Sequence, residues 1–304
     1  MSTSFADKLP TQESQRSGNL FTQRGQSPAV HLARPAQIAI LNLMPTKLAT
    51  ENQLLRLLGN TPLPVEATLL RMGSHHSKNT PEEHLLRYYR TFEQVRSRGF
   101  DALIITGAPV EHLPFEQVDY WQELQELMDW GLRQVSALLY ICWGAQAALY
   151  HQYGIPKHPL PAKQFGVFPH RVVEQDARLL SGFDDVFYVP HSRHTETRRA
   201  DVEKAPGLKI LVESEQAGIY ILASQDGRQV FVTGHSEYDP LTLKSEYERD
   251  VAAGLPIAIP VNYFPEDDPA RPPLVRWRGH AHLLFSNWLT YHVSQPGTYF
   301  RSAS

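Results

Sequence analysis

Residues Ser136–Tyr153 read SALLYICWGAQAALYHQY, and their pattern decides the fold. The run SALLYI is apolar and short; it stops at Cys142, and after Trp143-Gly144 an alanine-rich, helix-competent segment begins at once. This predicts a buried strand, a tight turn and a helix, with the chain's only cysteine on the turn. A strand-to-helix turn holds its side chain out of the sheet and aims backbone N–H groups at one spot. It also sets the thiol near the positive end of a helix, which favours thiolate. Cys142 is therefore a candidate nucleophile, with an inert core cysteine as the alternative reading.

Working outward, the preceding chain repeats strand and helix. QIAILNL from Gln37 predicts a strand, and LATENQLLRLLGN a helix with Leu54, Leu55, Leu57 and Leu58 on its apolar face and Gly59-Asn60, Pro62 and Pro64 as stop signals. VEATLLRM predicts a second strand, EEHLLRYYRTFEQV after Pro81 a helix, FDALIITGAP a third strand, and Glu116–Gln134 a further helix. Such alternation requires a parallel sheet with helices on both faces. Ligands of such sheets sit at the carboxyl ends of the strands, so Thr106–Glu111 and Cys142–Gly144 should open on one site.

Beyond Gly154 the chain is rich in Pro and Gly, and GVFPHRVV and VFYVPHSRH suggest an antiparallel patch. Gly218–Ser224 and Gln229–Thr233 predict a hairpin turning at Gln225–Arg228. The second hairpin strand leads into Thr233-Gly234-His235-Ser236-Glu237 and then a helical stretch, LTLKSEYERDVAAG. A nucleophilic cysteine needs a base, and the base needs a carboxylate to hold its tautomer; His235 and Glu237 supply both.

The 304 residues are 42% hydrophobic and 20% charged, with a formal charge of −3, which leaves no field to gather nucleic acid or an anionic membrane. A single cysteine excludes an internal disulfide and a cysteine-based zinc knuckle and fits a reducing cytoplasm. No apolar run approaches the roughly 18 residues of a membrane span. Residues 1–35 form a polar arm without the apolar core of a secretory signal, leaving 36–304 as a single catalytic domain. His75-His76 has no accompanying ligand cluster, so no metal site is expected.

The blocks ILNLMPTK (40–47), TENQLLRLL (50–58), TGAP (106–109), ICWGAQAAL (141–149), YGIPK (153–157), PHSR (190–193), FVTGHSEYD (231–239) and NYFP (262–265), in this order, resemble the homoserine O-acyltransferase family. That family is related to class I glutamine amidotransferases and acts early in methionine synthesis. The resemblance spans about residues 36 to 293 and implies a flavodoxin-like α/β core, an acyl-CoA co-substrate without a bound cofactor, small-molecule substrates and a homodimer.

Carried over by position, the resemblance makes Cys142 the acyl-thioester nucleophile, His235 the general base and Glu237 its orienting partner. It places Lys163, Ser192 and Arg249 against substrate, and a cationic pair suits an amino-acid carboxylate. The Trp143 N–H is the first candidate for the oxyanion hole, and a second N–H is sought near Leu43–Thr46. Glu111 stands where the family has Gly in succinyl users and Glu in acetyl users. A fixed carboxylate there would repel a succinyl carboxylate, so acetyl-CoA is the expected donor and succinyl-CoA the alternative. L-Homoserine is the expected acceptor; L-serine, one methylene shorter, is a second reading. A glutaminase and a non-catalytic binding module are the readings from other classes. One departure from the family is Pro169 before His170, where an acidic residue is expected.

Overall fold

The computed structural model describes residues 34–295, apart from 62, 76 and 78, together with Tyr299. The polar arm expected over 1–35 therefore lies outside the described residues except for its last two. In chain order the elements are β1 (Ala36–Leu41), α1 (Lys47–Gly59), β2 (Val65–Arg71), α2 (Glu82–Tyr88), β3 (Tyr89–Thr91), α3 (Phe92–Val95), β4 (Ala102–Ile105), α4 (Trp121–Gln134), β5 (Ala137–Ile141) and α5 (Trp143–Tyr153). They continue with β6 (His158–Val172), β7 (Val186–Glu196), α6 (Arg199–Val202), β8 (Leu208–Ser214), β9 (Gly218–Ser224), β10 (Gln229–Val232), α7 (Thr242–Ala252) and α8 (Arg278–Asn287).

All described strands join one mixed sheet in the order β3-β2-β1-β4-β5-β10-β9-β8-β6-β7. From β3 to β10 neighbouring strands run parallel, and from β10 outward they run antiparallel. Alternation along β1 explains the two layers. Ile38 and Ile40 join Leu54, Leu57 and Leu58 of α1 and Leu284 and Phe285 of α8 in one core. Ala39 and Leu41 face the other way, into a core with Leu124, Leu127 and Met128 of α4 and Leu149 of α5. Strands buried on both faces read as continuous apolar runs, and β4 and β5 are buried throughout.

Three local expectations need correction. The helix expected from Pro81 is interrupted by β3, because Tyr89 pairs with Leu69 in the ladder and buries its ring. The Tyr89 hydroxyl donates to Glu51 Oε1 at 2.5 Å and accepts from Asn42 Nδ2 at 2.9 Å, a tertiary pairing that outweighs helical periodicity. Thr91 and Gln94 then form a capping box that restarts the chain as α3. The helix expected from Glu116 begins only at Trp121, since Phe115 forms a separate turn and stacks on Trp121 and Tyr150. Leu55 is 41% exposed and does not share the buried face of α1.

The antiparallel patch is continuous with the parallel sheet, and its Pro-rich start is strand. Pro161 lies in the register shift between Pro159 and Gln164, where a residue without an N–H costs no ladder bond. Gly166, with φ 144°, brings β6 against Val261, and a Cβ there would stand 2.4 Å from the Val261 nitrogen.

At the junction of β5 and α5, Gly144 packs directly on the end of β4: an added Cβ would lie 2.5 Å from the Thr106 carbonyl oxygen and 2.9 Å from that of Ile105. Both neighbours are backbone and cannot swing away. Gly144→Ala is therefore expected to destabilise the protein by about 1–3 kcal/mol, read as a lower urea midpoint; an unchanged midpoint would contradict this packing.

Candidate active site

The turn after β5 has the strained geometry of a nucleophile elbow. Cys142 has φ 51° and ψ −118°, a conformation rare for a residue with a side chain and persistent only where its surroundings enforce it. The enforcement is visible in three contacts. The Cys142 N–H donates to the Val232 carbonyl at 2.7 Å, the Ala145 N–H donates back to the Cys142 carbonyl at 3.0 Å, and Gly107 leaves room, since its Cβ would come 3.2 Å from that of Cys142.

Because β10 lies beside β5 and runs parallel to it, its carboxyl end reaches the same edge of the sheet. The chain leaving β10 therefore delivers His235 next to Cys142. His235 Nδ1 pairs with Glu237 Oε1 at 2.7 Å, and the same ring interacts with Cys142. With Nδ1 engaged, Nε2 is the ring nitrogen left to serve the sulfur. Tyr238 stacks on the imidazole at 4.2 Å and donates its hydroxyl to Glu246 Oε1 at 2.9 Å. Cys142, His235 and Glu237 are all buried. Burial alone would push the His235 imidazole down. The facing Cys142 and Glu237 charges and their hydrogen bonds outweigh it and hold this group well above its ordinary value.

Cys142, His235 and Tyr238 line a cavity of about 600 Å³, with Glu237 behind the imidazole. The same cavity is lined by Lys163 from β6, Ser192 from β7, Arg249 from α7 and Glu111 from the loop after β4. Six of the residues singled out in the sequence thus share one cavity, while Glu237 reaches it through His235 and the Trp143 side chain is buried outside the lining. Sequence reasoning missed Glu246, which collects three of the donors. Besides Tyr238, its carboxylate accepts from Ser192 Oγ at 2.5 Å and faces Lys163 Nζ at 3.3 Å. One turn further along α7, Asp250 faces Lys163 Nζ at 3.3 Å and accepts from Arg249 Nε at 2.8 Å. The Glu246-to-Asp250 spacing of one helical turn was the available signal.

Glu111 points inward. Its Oε2 accepts the His194 N–H, and burial raises its carboxyl above the usual range in spite of that bond and the nearby His235 and Arg193. Of the N–H groups at Leu43–Thr46, where a second oxyanion donor is expected, two are already engaged and one position has none, which leaves that of Thr46, a residue lining the cavity. The Leu43 N–H donates to Thr106 Oγ1 at 2.8 Å, the Met44 N–H donates to Asn42 Oδ1 at 3.1 Å, and Pro45 has no N–H. Among the described residues, neither the Trp143 nor the Gly107 N–H donates to a protein acceptor, and a Gly107 Cβ would lie 3.6 Å from the Cys142 sulfur.

Pro169 does not line the cavity. Its neighbour His170 is buried and shares a 3.0 Å bond with His191 Nε2. His170 Nδ1 donates to the Phe168 carbonyl and Arg193 Nε donates to His191 Nδ1, so His191 Nε2 carries the shared proton. His75 pairs with Asp119 at 2.7 Å, and His76 lies outside the described residues. Arg198 and Arg199 bind the surface carboxylates of Glu196, Glu203 and Glu213. Among the described residues no His, Cys, Asp or Glu cluster could hold a metal ion, and no helix is long and apolar enough to cross a membrane. A second depression of about 560 Å³ between α1 and β2 is lined by residues such as Leu55, Leu58, Thr61 and Leu63, without a titratable group.

The profile of the family described as homoserine O-succinyltransferase matches residues 3–299. A homoserine O-acetyltransferase of Brevibacillus brevis is 58% identical over 299 residues, covering 98% of each chain. One of Acetivibrio thermocellus is 59% identical over 295 residues, covering 97% of each. Among solved structures, a glutamine amidotransferase of Thermotoga maritima superposes with a TM-score of 0.57 at 13% identity, covering 86% of this chain and 99% of that one. At that identity the likeness establishes the shared class I glutamine amidotransferase-like α/β fold.

The His235 geometry sets a pH dependence. A group whose folded value is raised contributes stability that is full below its unfolded value, about 6.5, and is lost as pH rises through the folded value. Glu237→Gln removes part of the raising, so His235 should titrate at lower pH in that variant by NMR. The stability lead of the wild type should be greatest below about 6.5 with Glu237 ionised, and should fade toward alkaline pH. Equal titration in both proteins would refute the coupling.

Proposed function

The chain belongs to the homoserine O-succinyltransferase family of acyltransferases, and from that premise we propose that it transfers the acetyl group of acetyl-CoA to the hydroxyl of L-homoserine, an early step of methionine synthesis. The carrying observation is that the buried Cys142–His235–Glu237 line opens on a cavity that Glu111 also lines.

In the first half-reaction the Cys142 proton passes to His235 Nε2 and the sulfur attacks the thioester carbonyl. The tetrahedral intermediate collapses, the carbon–sulfur bond to CoA breaks, and the CoA thiolate takes the proton from His235. Acetyl-Cys142 remains. In the second half the homoserine hydroxyl gives its proton to His235 as its oxygen attacks the acetyl carbon, the bond from that carbon to the Cys142 sulfur breaks, and the leaving sulfur takes the proton back from His235. Glu237 stays ionised and holds the imidazole in the required tautomer. The free Trp143 and Gly107 N–H groups are the oxyanion donors of this reading, and each such donor is worth about 2.7–4 kcal/mol of barrier. Arg249 and Lys163 take the amino-acid carboxylate, while Glu246, already a gathering point for donors, takes the α-ammonium.

The family is described by a succinyl donor and the two relatives by an acetyl product; Glu111 supports the acetyl reading. A succinyl chain would bring its own carboxylate against the Glu111 carboxylate in a poorly hydrated wall. Incubation with acetyl-CoA should add one acetyl group to the intact mass, localised to Cys142 and absent in Cys142→Ala, whereas succinyl-CoA should add nothing. A stable succinyl adduct on the wild type would overturn the donor assignment, and labelling by glutamine instead would place the chain with the glutaminases.

Arg249→Ala should raise KM for homoserine roughly tenfold or more, as expected for a lost bond to a charged group, while acetylation of Cys142 keeps its rate. Slowed acetylation with unchanged homoserine KM would move Arg249 to the donor side.

A further inference from the structure

We propose that Lys157 is the positioning residue that fixes the acyl-chain wall, acting through the turn that carries Glu111. The inference rests on the reading of Glu111 as that wall. Val110–Leu113 is a tight turn closed by the Leu113 N–H donating to the Val110 carbonyl at 3.1 Å, so Glu111 sits at its first central position. The turn places two carbonyls outward, those of Glu111 and Leu113. Lys157 Nζ donates to both, at 2.6 Å each, and among the described residues neither carbonyl has another donor.

The clamp is itself anchored to the nucleophile helix. α5 ends at Gly154 in the left-handed conformation (φ 68°), with the Ile155 N–H donating back to the Leu149 carbonyl at 3.2 Å. Ile155 is buried, and the chain turns so that Lys157 reaches back over the Phe115 ring, 4.6 Å from its centroid. Phe115 in turn stacks on Tyr150 at 4.7 Å and contacts Trp143 at 5.7 Å, both on α5. The turn that carries Glu111 is thus referenced to the helix that follows Cys142. By contrast, the Glu111 carboxylate has a single hydrogen bond among the described residues, from the His194 N–H. One such bond leaves the side chain to follow its backbone, and Lys157 holds that backbone.

Loss of the clamp should relax the size of the acyl pocket without removing its charge. A neutral, slightly larger donor then gains, and an anionic donor does not. The experiment compares kcat/KM for acetyl-, propionyl- and succinyl-CoA in the wild type, Lys157→Met, Lys157→Arg and Glu111→Gly. Lys157→Met is expected to raise the propionyl-to-acetyl ratio about tenfold, the lower end of one-methylene discrimination, with succinyl-CoA still rejected and homoserine KM unchanged. Lys157→Arg, which can still donate to two carbonyls, should restore the wild-type ratio, and Glu111→Gly should admit both larger donors. Should Lys157→Met not fold, Lys157→Gln, able to serve only one carbonyl at a time, carries the same comparison. If Glu111→Gly alters donor preference while the Lys157 variants keep the wild-type ratios, the positioning role is overturned and the wall reading stands. If Glu111→Gly leaves donor preference unchanged, the wall reading itself fails and takes this inference with it.

Discussion

The parallel pairing of β5 with β10 governs the arrangement of the site. These strands are far apart in sequence, yet Ile141 pairs with Val232, and the Cys142 N–H extends the ladder to the Val232 carbonyl. Two parallel neighbours end at the same edge of a sheet, so the elbow cysteine and the histidine that follows β10 emerge side by side. The stacking of Tyr140 on Phe231 at 5.1 Å holds the pair in register. A slip of one residue would turn every side chain of β10 to the other face and withdraw His235.

Tight packing at the strand ends maintains the positive φ of Cys142. Gly144 lies against the carbonyls of Ile105 and Thr106 at the end of β4, and Gly107 lies against the Cys142 side chain, so neither position has room for a Cβ without a shift. Strain at a candidate nucleophile persists because the surrounding structure over-determines it. β7 completes the frame. The Pro190 carbonyl accepts the His235 N–H at 2.8 Å, and Thr195 Oγ1 donates to Gln146 on α5 at 2.8 Å. Beneath it the Arg193–His191–His170 chain satisfies buried polar groups whose orphaning would cost about 1–3 kcal/mol each.

The cavity mixes charges of both signs in close order. Lys163 lies between Glu246 and Asp250, and Arg249 leans on Asp250, so the cations are held in place before any ligand arrives. Preorganised charge of this kind suits a zwitterionic amino acid, whose carboxylate and ammonium need opposite partners a few ångströms apart. Glu111 stands apart from this group, in a wall where burial already opposes its ionisation.

Much of this was legible in the chain. The abrupt change at Cys142 identified the elbow, the alternation before it the parallel layers, and the two-residue spacing of His235 and Glu237 an imidazole paired with a carboxylate. These features are local and leave periodic traces. Leu55 and the segment from Tyr89 to Thr91 misled for the same reason that Glu246, Lys157 and the β5–β10 pairing stayed hidden: their roles depend on what lies across space. Tyr89 leaves a helical pattern because Glu51 and Asn42 await its hydroxyl, and Lys157 matters because a turn 44 residues upstream exposes two carbonyls to it. Most of the elements, and the residue types able to do chemistry, are written locally in the chain, because periodicity and turn chemistry act over a few residues. Which strand ends share an edge, and which carbonyls and carboxylates meet their donors, follow instead from long-range register and close packing, which arise only in the folded molecule.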